Sequence, residues 1–106
     1  MSPIYFQILL ALADRDRHGL GIMQEVLDRT GGSMRLWPAM LYQNLQRLGA
    51  EGLIQEIDAP PEPMPGNPRF YRLTAAGRRA CTLEARRLAA FVEAARDKKL
   101  LKKGRP

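Results

Sequence analysis

Five of the chain's eight prolines fall within residues 59–68, which read Ala-Pro-Pro-Glu-Pro-Met-Pro-Gly-Asn-Pro. Each proline lacks an amide donor and fixes φ, so this run can neither continue a helix nor pair inside a sheet. On either side stand short segments rich in Ile, Leu, Phe and Tyr, residues 53–58 and 69–73. Two strand-like runs around a segment that cannot be a strand predict a β-hairpin with a long connector.

Three helices are predicted upstream of it. Ser2 and Pro3 make an N-cap and first-turn pair, and Ile4, Ile8, Leu9 and Leu12 follow at helical spacing, giving a helix over 3–13. A second covers 20–30 with Ile22, Met23, Val26 and Leu27 on one side, and Gly31-Gly32 closes it. Pro38 opens a third, over 38–50, in which Leu41, Leu45 and Leu48 form a narrow apolar stripe ended by Gly52. After the hairpin, Thr74 can cap a long last helix over 75–102. The order is helix, helix, helix, hairpin, long helix: mainly α with a small β-hairpin.

Charge is unevenly spread along the 106 residues. The net charge is +6, yet residues 1–77 carry seven basic and eight acidic side chains, and residues 78–106 carry ten basic and three acidic. The excess invites a polyanion partner but fits a solvated helix face with a basic tail equally well. One cysteine excludes a disulfide-stapled scaffold. The apolar run over 8–13 is too short to cross a membrane and has the wrong flanks for a signal peptide, so a cytoplasmic protein is expected.

Catalytic chemistry has little to work with. His18 is the lone histidine and Cys81 lies far from it in sequence, so neither metal-ligand spacing nor a nucleophile with its base and orienter can be assembled. No paired carboxylates sit in an apolar context. The reading is a non-enzyme without metal or cofactor.

Three short helices followed by a hairpin is the order of a winged helix-turn-helix. Four segments sharpen it: His18-Gly19-Leu20-Gly21-Ile22, then Leu41-Tyr42-Gln43-Asn44-Leu45-Gln46-Arg47-Leu48, then Glu51-Gly52-Leu53-Ile54, then Tyr71-Arg72-Leu73-Thr74-Ala75-Ala76-Gly77-Arg78. In this order and spacing they closely resemble the PadR family of transcriptional regulators, from about Ile8 to the last helix. The length resembles the short branch with a single C-terminal dimerisation helix. The resemblance implies a winged-helix DNA-binding domain over 1–74 and a dimerisation helix with a basic tail over 75–106. It further implies a structural His18, since the family's equivalent His-Gly begins the second helix, and a homodimeric repressor on a double-stranded operator, open to a small-molecule inducer.

In that fold the third helix enters the major groove with its leucines turned inward. The outward arc then carries Ala39, Gln43, Gln46 and Arg47, flanked by Met40 and Tyr42, behind Pro38. Gln suits adenine edges, and Arg suits guanine or phosphate, although these types are equally at home on a solvated helix. Where the family usually shows Ser-Pro-Gly-Thr-Leu-Tyr, this chain reads Trp37-Pro38-Ala39-Met40-Leu41-Tyr42, which loses two polar contacts. The wing would bring Arg69 and Arg72 to the DNA backbone, or leave them solvating the strand.

On the last helix, Cys81, Ala85, Leu88, Phe91, Val92 and Ala95 share one side. Packing against a second copy would bury them, as would folding back onto the first helix. Lys98 onward is expected to fray as a basic tail. Trp37, Phe6 and Phe91 are candidates for a ligand pocket or for core packing. Two rival readings use the same residues: a winged-helix protein-interaction module that no longer binds DNA specifically, and a sequence-indifferent binder working through the tail.

Overall fold

The computed structural model describes residues 1–58 and 69–102. The expected connector over 59–68, with Glu62, and the end of the basic tail over 103–106 lie outside the described residues.

Helix α1 is Pro3–Ala11, started by Ser2, whose Oγ accepts the Tyr5 N–H at 3.1 Å. Helix α2 is Gly19–Arg29 and helix α3 is Pro38–Ala50. Both close at a glycine with positive φ, Gly31 at 61° and Gly52 at 76°. The amides just beyond turn back onto the last turn: Gly32 N–H reaches the Leu27 carbonyl at 2.9 Å, and Leu53 N–H reaches that of Leu48 at 3.0 Å. Only glycine adopts this left-handed step without strain, so these residues set where α2 and α3 stop.

The sheet differs from the expected hairpin. Strand β2 (Ile54–Ile57) and strand β3 (Phe70–Leu73) pair antiparallel, Ile54 opposite Leu73 and Ile57 opposite Phe70. A third strand, β1 (Arg17–His18), adds to the other edge of β3, giving the order β1-β3-β2. Two residues carry no periodicity, so β1 has no sequence signal. It forms because the free edge of β3 offers backbone partners to the chain leaving α1.

Arg17 holds that junction. Its Nε donates to the Ala11 carbonyl at 2.7 Å, and its Nη2 lies 3.3 Å from Asp14 and 3.6 Å from Glu25. Its neighbour His18 caps α2, its Nδ1 accepting the Gly21 N–H at 2.9 Å, with its ring edge-on to Phe70 at 5.3 Å. The structural role expected for His18 is the one observed.

The core lies between α1, α2, α3 and the sheet: Ile8, Leu9 and Leu12, then Ile22 and Val26, then Leu41, Leu45 and Leu48, closed by Ile54 and Tyr71. Each fully buried aliphatic of this kind contributes about 1.5–3 kcal/mol. The leucine stripe of α3 faces wholly into this core.

Helix α4 is Ala75–Asp97, capped by Thr74, whose Oγ1 accepts the Gly77 N–H at 3.0 Å. Gly77, Cys81 and Glu84 are its buried residues, all in its first half, which packs on α1. At 1.5 Å per residue it extends about 35 Å, well past the body, and the molecule measures 50 × 27 × 27 Å. It ends earlier than the expected 102, with Lys98 as its C-cap. Lys99 takes a left-handed φ of 62°, and the Leu100 N–H returns to the Ala95 carbonyl at 2.9 Å. A lysine there costs roughly 1–2 kcal/mol relative to a right-handed conformation, offset by these closing bonds.

Candidate nucleic-acid interface

Turning Leu41, Leu45 and Leu48 into the core leaves the opposite arc of α3 in water. Pro38, Ala39, Tyr42, Gln43, Gln46 and Arg47 are all exposed, and Met40 is half-buried. Asn44 is occupied within the helix, its Nδ2 donating to the Met40 carbonyl at 2.8 Å. Trp37 occupies the N-cap position but makes no side-chain capping bond, as an indole has no acceptor to offer.

Tyr42, 48% exposed, is the residue of this arc most tied to the body. A Cβ built on Gly19 would come within 2.6 Å of the Tyr42 hydroxyl, so the first residue of α2 is bare where the tyrosine crosses it. Below it, Tyr42, Leu45, Gln46 and Gly49 face Ile54, Glu56, Arg69 and Tyr71 across a groove of about 500 Å³ between α3 and the sheet. Burial, with Glu56 and Tyr42 adding and Arg69 opposing, pushes the Tyr71 hydroxyl above its ordinary value.

The wing arginines are not free. Arg69 Nε lies 3.3 Å from Glu56, both side chains well exposed. Arg72 meets Asp16 through two nitrogens, Nε at 3.2 Å from both carboxylate oxygens and Nη2 at 2.8 Å from one. The sequence offered these arginines either to a DNA backbone or to solvent, and in the free protein each instead meets a carboxylate. Asp16 is far from Arg72 in sequence, and the β1–β3 pairing brings them together.

Arg35 and Arg47, by contrast, make no ion pair among the described residues. Arg35 was not singled out from the sequence. Its position two residues before the Trp37-Pro38 start of α3 was the available signal.

Of the two uses open to Trp37, Phe6 and Phe91, a shared pocket is not formed among the described residues. Trp37 lines a shallow groove with Leu20, Met23, Gln24, Leu27, Arg35, Leu36 and Pro38, whereas Phe6 packs against the core. Phe91 projects from the far half of α4, 58% exposed. Of the residues expected on a dimer face, Cys81 is buried by its own chain, Leu88 and Ala95 are half-buried, and Ala85, Phe91 and Val92 are exposed. Cys81 therefore belongs to the core first. Among the described residues no group of three or more His, Cys, Asp or Glu could hold a metal, and no helix is long and apolar enough to cross a membrane.

Three helices, a three-stranded antiparallel sheet and an outward-facing third helix define a winged helix-turn-helix protein. The chain belongs to the transcriptional regulator PadR-like family, which matches residues 8–83. An uncharacterised protein of Lysinibacillus sphaericus is 32% identical over 71 residues, 67% of this chain and 64% of that relative, so the match spans just under two thirds of the relative's length. Solved structures share the fold. A PadR family transcription regulator from Clostridium difficile R20291 superposes with a TM-score of 0.71 at 23% identity, covering 92% of this chain and 99% of that one. A transcriptional regulator from Clostridium thermocellum gives 0.73 at 18% identity, covering 89% and 87%. Bacillus subtilis PadR in complex with operator DNA gives 0.66 at 17% identity, covering 99% of this chain and 51% of that one.

Proposed function

We propose that this chain is a homodimeric, sequence-specific DNA-binding repressor that acts in the cytoplasm by occupying a pseudo-palindromic operator. The observation that carries the reading is the exposed arc of α3. Tyr42, Gln43, Gln46 and Arg47 stand outward on a helix locked by three buried leucines, and Arg47 has no ion-pair partner among the described residues. The superposition on Bacillus subtilis PadR, whose structure holds operator DNA, supports it. Two copies of α3 would read successive major grooves about one helical turn apart. Gln43 and Gln46 would meet base edges, Arg47 a guanine or phosphate, and Pro38, Ala39 and Met40 would pack against the groove wall. Arg69 and Arg72 would reach phosphate only by leaving Glu56 and Asp16.

The far half of α4 supports dimerisation, since Phe91 and Val92 are exposed there and Leu88 is half-covered. A second copy would cover that stripe. A small-molecule inducer would release DNA by changing the angle between the two long helices and so the spacing of the two α3 helices.

The ion-paired wing arginines favour a second reading, a protein-interaction module without specific DNA binding. Titration of a duplex selected from a random library, and of the unselected pool, across a salt series separates the two. Tighter binding to the selected duplex at every salt supports the repressor. Replacing Gln43 with Ala should then relax preference at one position of each half-site, by about 1–3 kcal/mol. Equal affinity for both duplexes at all salts would sink the specific-regulator reading.

A further inference from the structure

Trp37 is the chain's sole tryptophan, and 63% of it is left in water. Leu20 beside it is 69% exposed, and the two share a shallow groove of about 420 Å³ with Met23, Leu27 and Pro38. The groove offers a small apolar surface beside the indole. Above the indole sits a cation: the Arg35 guanidinium carbon is 5.5 Å from the ring centroid. On the same body Arg17, Arg29, Arg69 and Arg72 face carboxylates, whereas Arg35, like Arg15 and Arg47, faces none among the described residues, and of these three only Arg35 lies over an aromatic ring. An uncommitted cation and a flat aromatic face are thus held in fixed relation immediately before the helix proposed to enter the groove.

The chemistry that fits is one anion with an apolar surface next to it, which is the repeating unit of a nucleic-acid backbone: a phosphate adjoining a deoxyribose. We infer that Arg35 and Trp37 form a DNA-backbone clamp outside the exposed arc of α3. Arg35 takes a phosphate flanking the half-site and Trp37 packs its indole on the neighbouring sugar. The cation–π contact orients the guanidinium in advance, which lowers the entropy lost on binding. The clamp supplies affinity and register, not base preference, because backbone contacts carry no sequence information directly. It rests on the DNA-binding reading above, and it gives the Trp37 departure from the family pattern a role.

The sole tryptophan makes the test direct. Duplex binding is followed by the anisotropy of a labelled DNA and, in the same titration, by Trp37 emission, using both the random-sequence pool at low salt and the selected duplex. The expected result is a change in emission that tracks anisotropy for both DNAs. Arg35→Gln should weaken binding to both by the same factor and make the salt slope shallower by about one. Binding by anisotropy with unchanged emission and an unchanged Arg35→Gln slope overturns the clamp while leaving DNA recognition standing. Emission that shifts on dilution of the protein alone assigns the patch to self-association and also overturns it. No anisotropy change with either DNA refutes the DNA-binding reading and the clamp with it.

Discussion

A Cβ on Gly77 would stand 1.9 Å from the carbonyl oxygen of Leu53. That oxygen cannot retreat, since it accepts the Thr74 N–H at 3.1 Å and so ties the start of β2 to the cap of α4. The first turn of α4 can therefore pass this close to the Leu53 carbonyl only because this position has no side chain. Gly77→Ala should destabilise the fold by about 3 kcal/mol, at the upper end for overpacking, because backbone and not a side chain must move. Gly49→Ala is the counterpart, with nothing within 4 Å of its new methyl, and should stabilise by about 0.5–1 kcal/mol. Urea denaturation of the two variants checks both; equal and small effects would show that the Gly77 contact is not tight.

Glu56 places a carboxylate in the groove between α3 and the wing, where it holds Arg69. On the proposed function this pair is a brake on phosphate binding. Both side chains are exposed, so the pair adds only about 0–1 kcal/mol to folding. Glu56→Gln should leave stability nearly unchanged, tighten binding to any duplex, and steepen the salt slope by about one as Arg69 becomes available. Weaker or unaltered binding across the salt series would count against an Arg69 contact.

Phe91 and Val92, at 58% and 39% exposure, contribute little to the fold of one chain. Replacing Phe91 with Asp should therefore convert the proposed dimer to a monomer at micromolar concentration while leaving helix content and unfolding cooperativity intact. Sedimentation velocity checks it. A wild-type protein that already sediments as a monomer would remove the basis of the dimer.

Burial pushes the Cys81 thiol above its ordinary value, with Arg78 and Arg29 pulling partly against it. Because the folded value is the higher one, the unfolded chain gives up this proton first. The contribution of Cys81 to stability is thus complete below the ordinary thiol range and is lost as pH rises through the folded value. A thiol reagent near pH 8 should label native protein roughly tenfold or more slowly than urea-unfolded protein. The protection comes from α4 packing on its own body, so the Phe91→Asp monomer should stay protected. Fast labelling of that monomer would return Cys81 to the dimer face.

Local features were readable without coordinates, because their physics spans a few residues. The Leu41, Leu45 and Leu48 spacing assigned the inner face of α3, and with it the outer arc of Gln43, Gln46 and Arg47. Ser2, Thr74, Gly31 and Gly52 marked helix ends through capping and left-handed turns. His18 was expected to be structural, and its capping bond to Gly21 shows how. What depended on distant partners was not readable. Strand β1 exists only because β3 presents an open edge to Arg17 and His18. The same pairing delivers Asp16 to Arg72, and the β2–β3 ladder delivers Glu56 to Arg69, so the wing cations lose the freedom their sequence suggested. Sequence by itself determined the helices, the β2–β3 hairpin and their inward faces, since periodicity and caps act within a turn or two. Tertiary structure alone decided the third strand and the engagement of Arg69 and Arg72, because their partners come from segments that meet only in space.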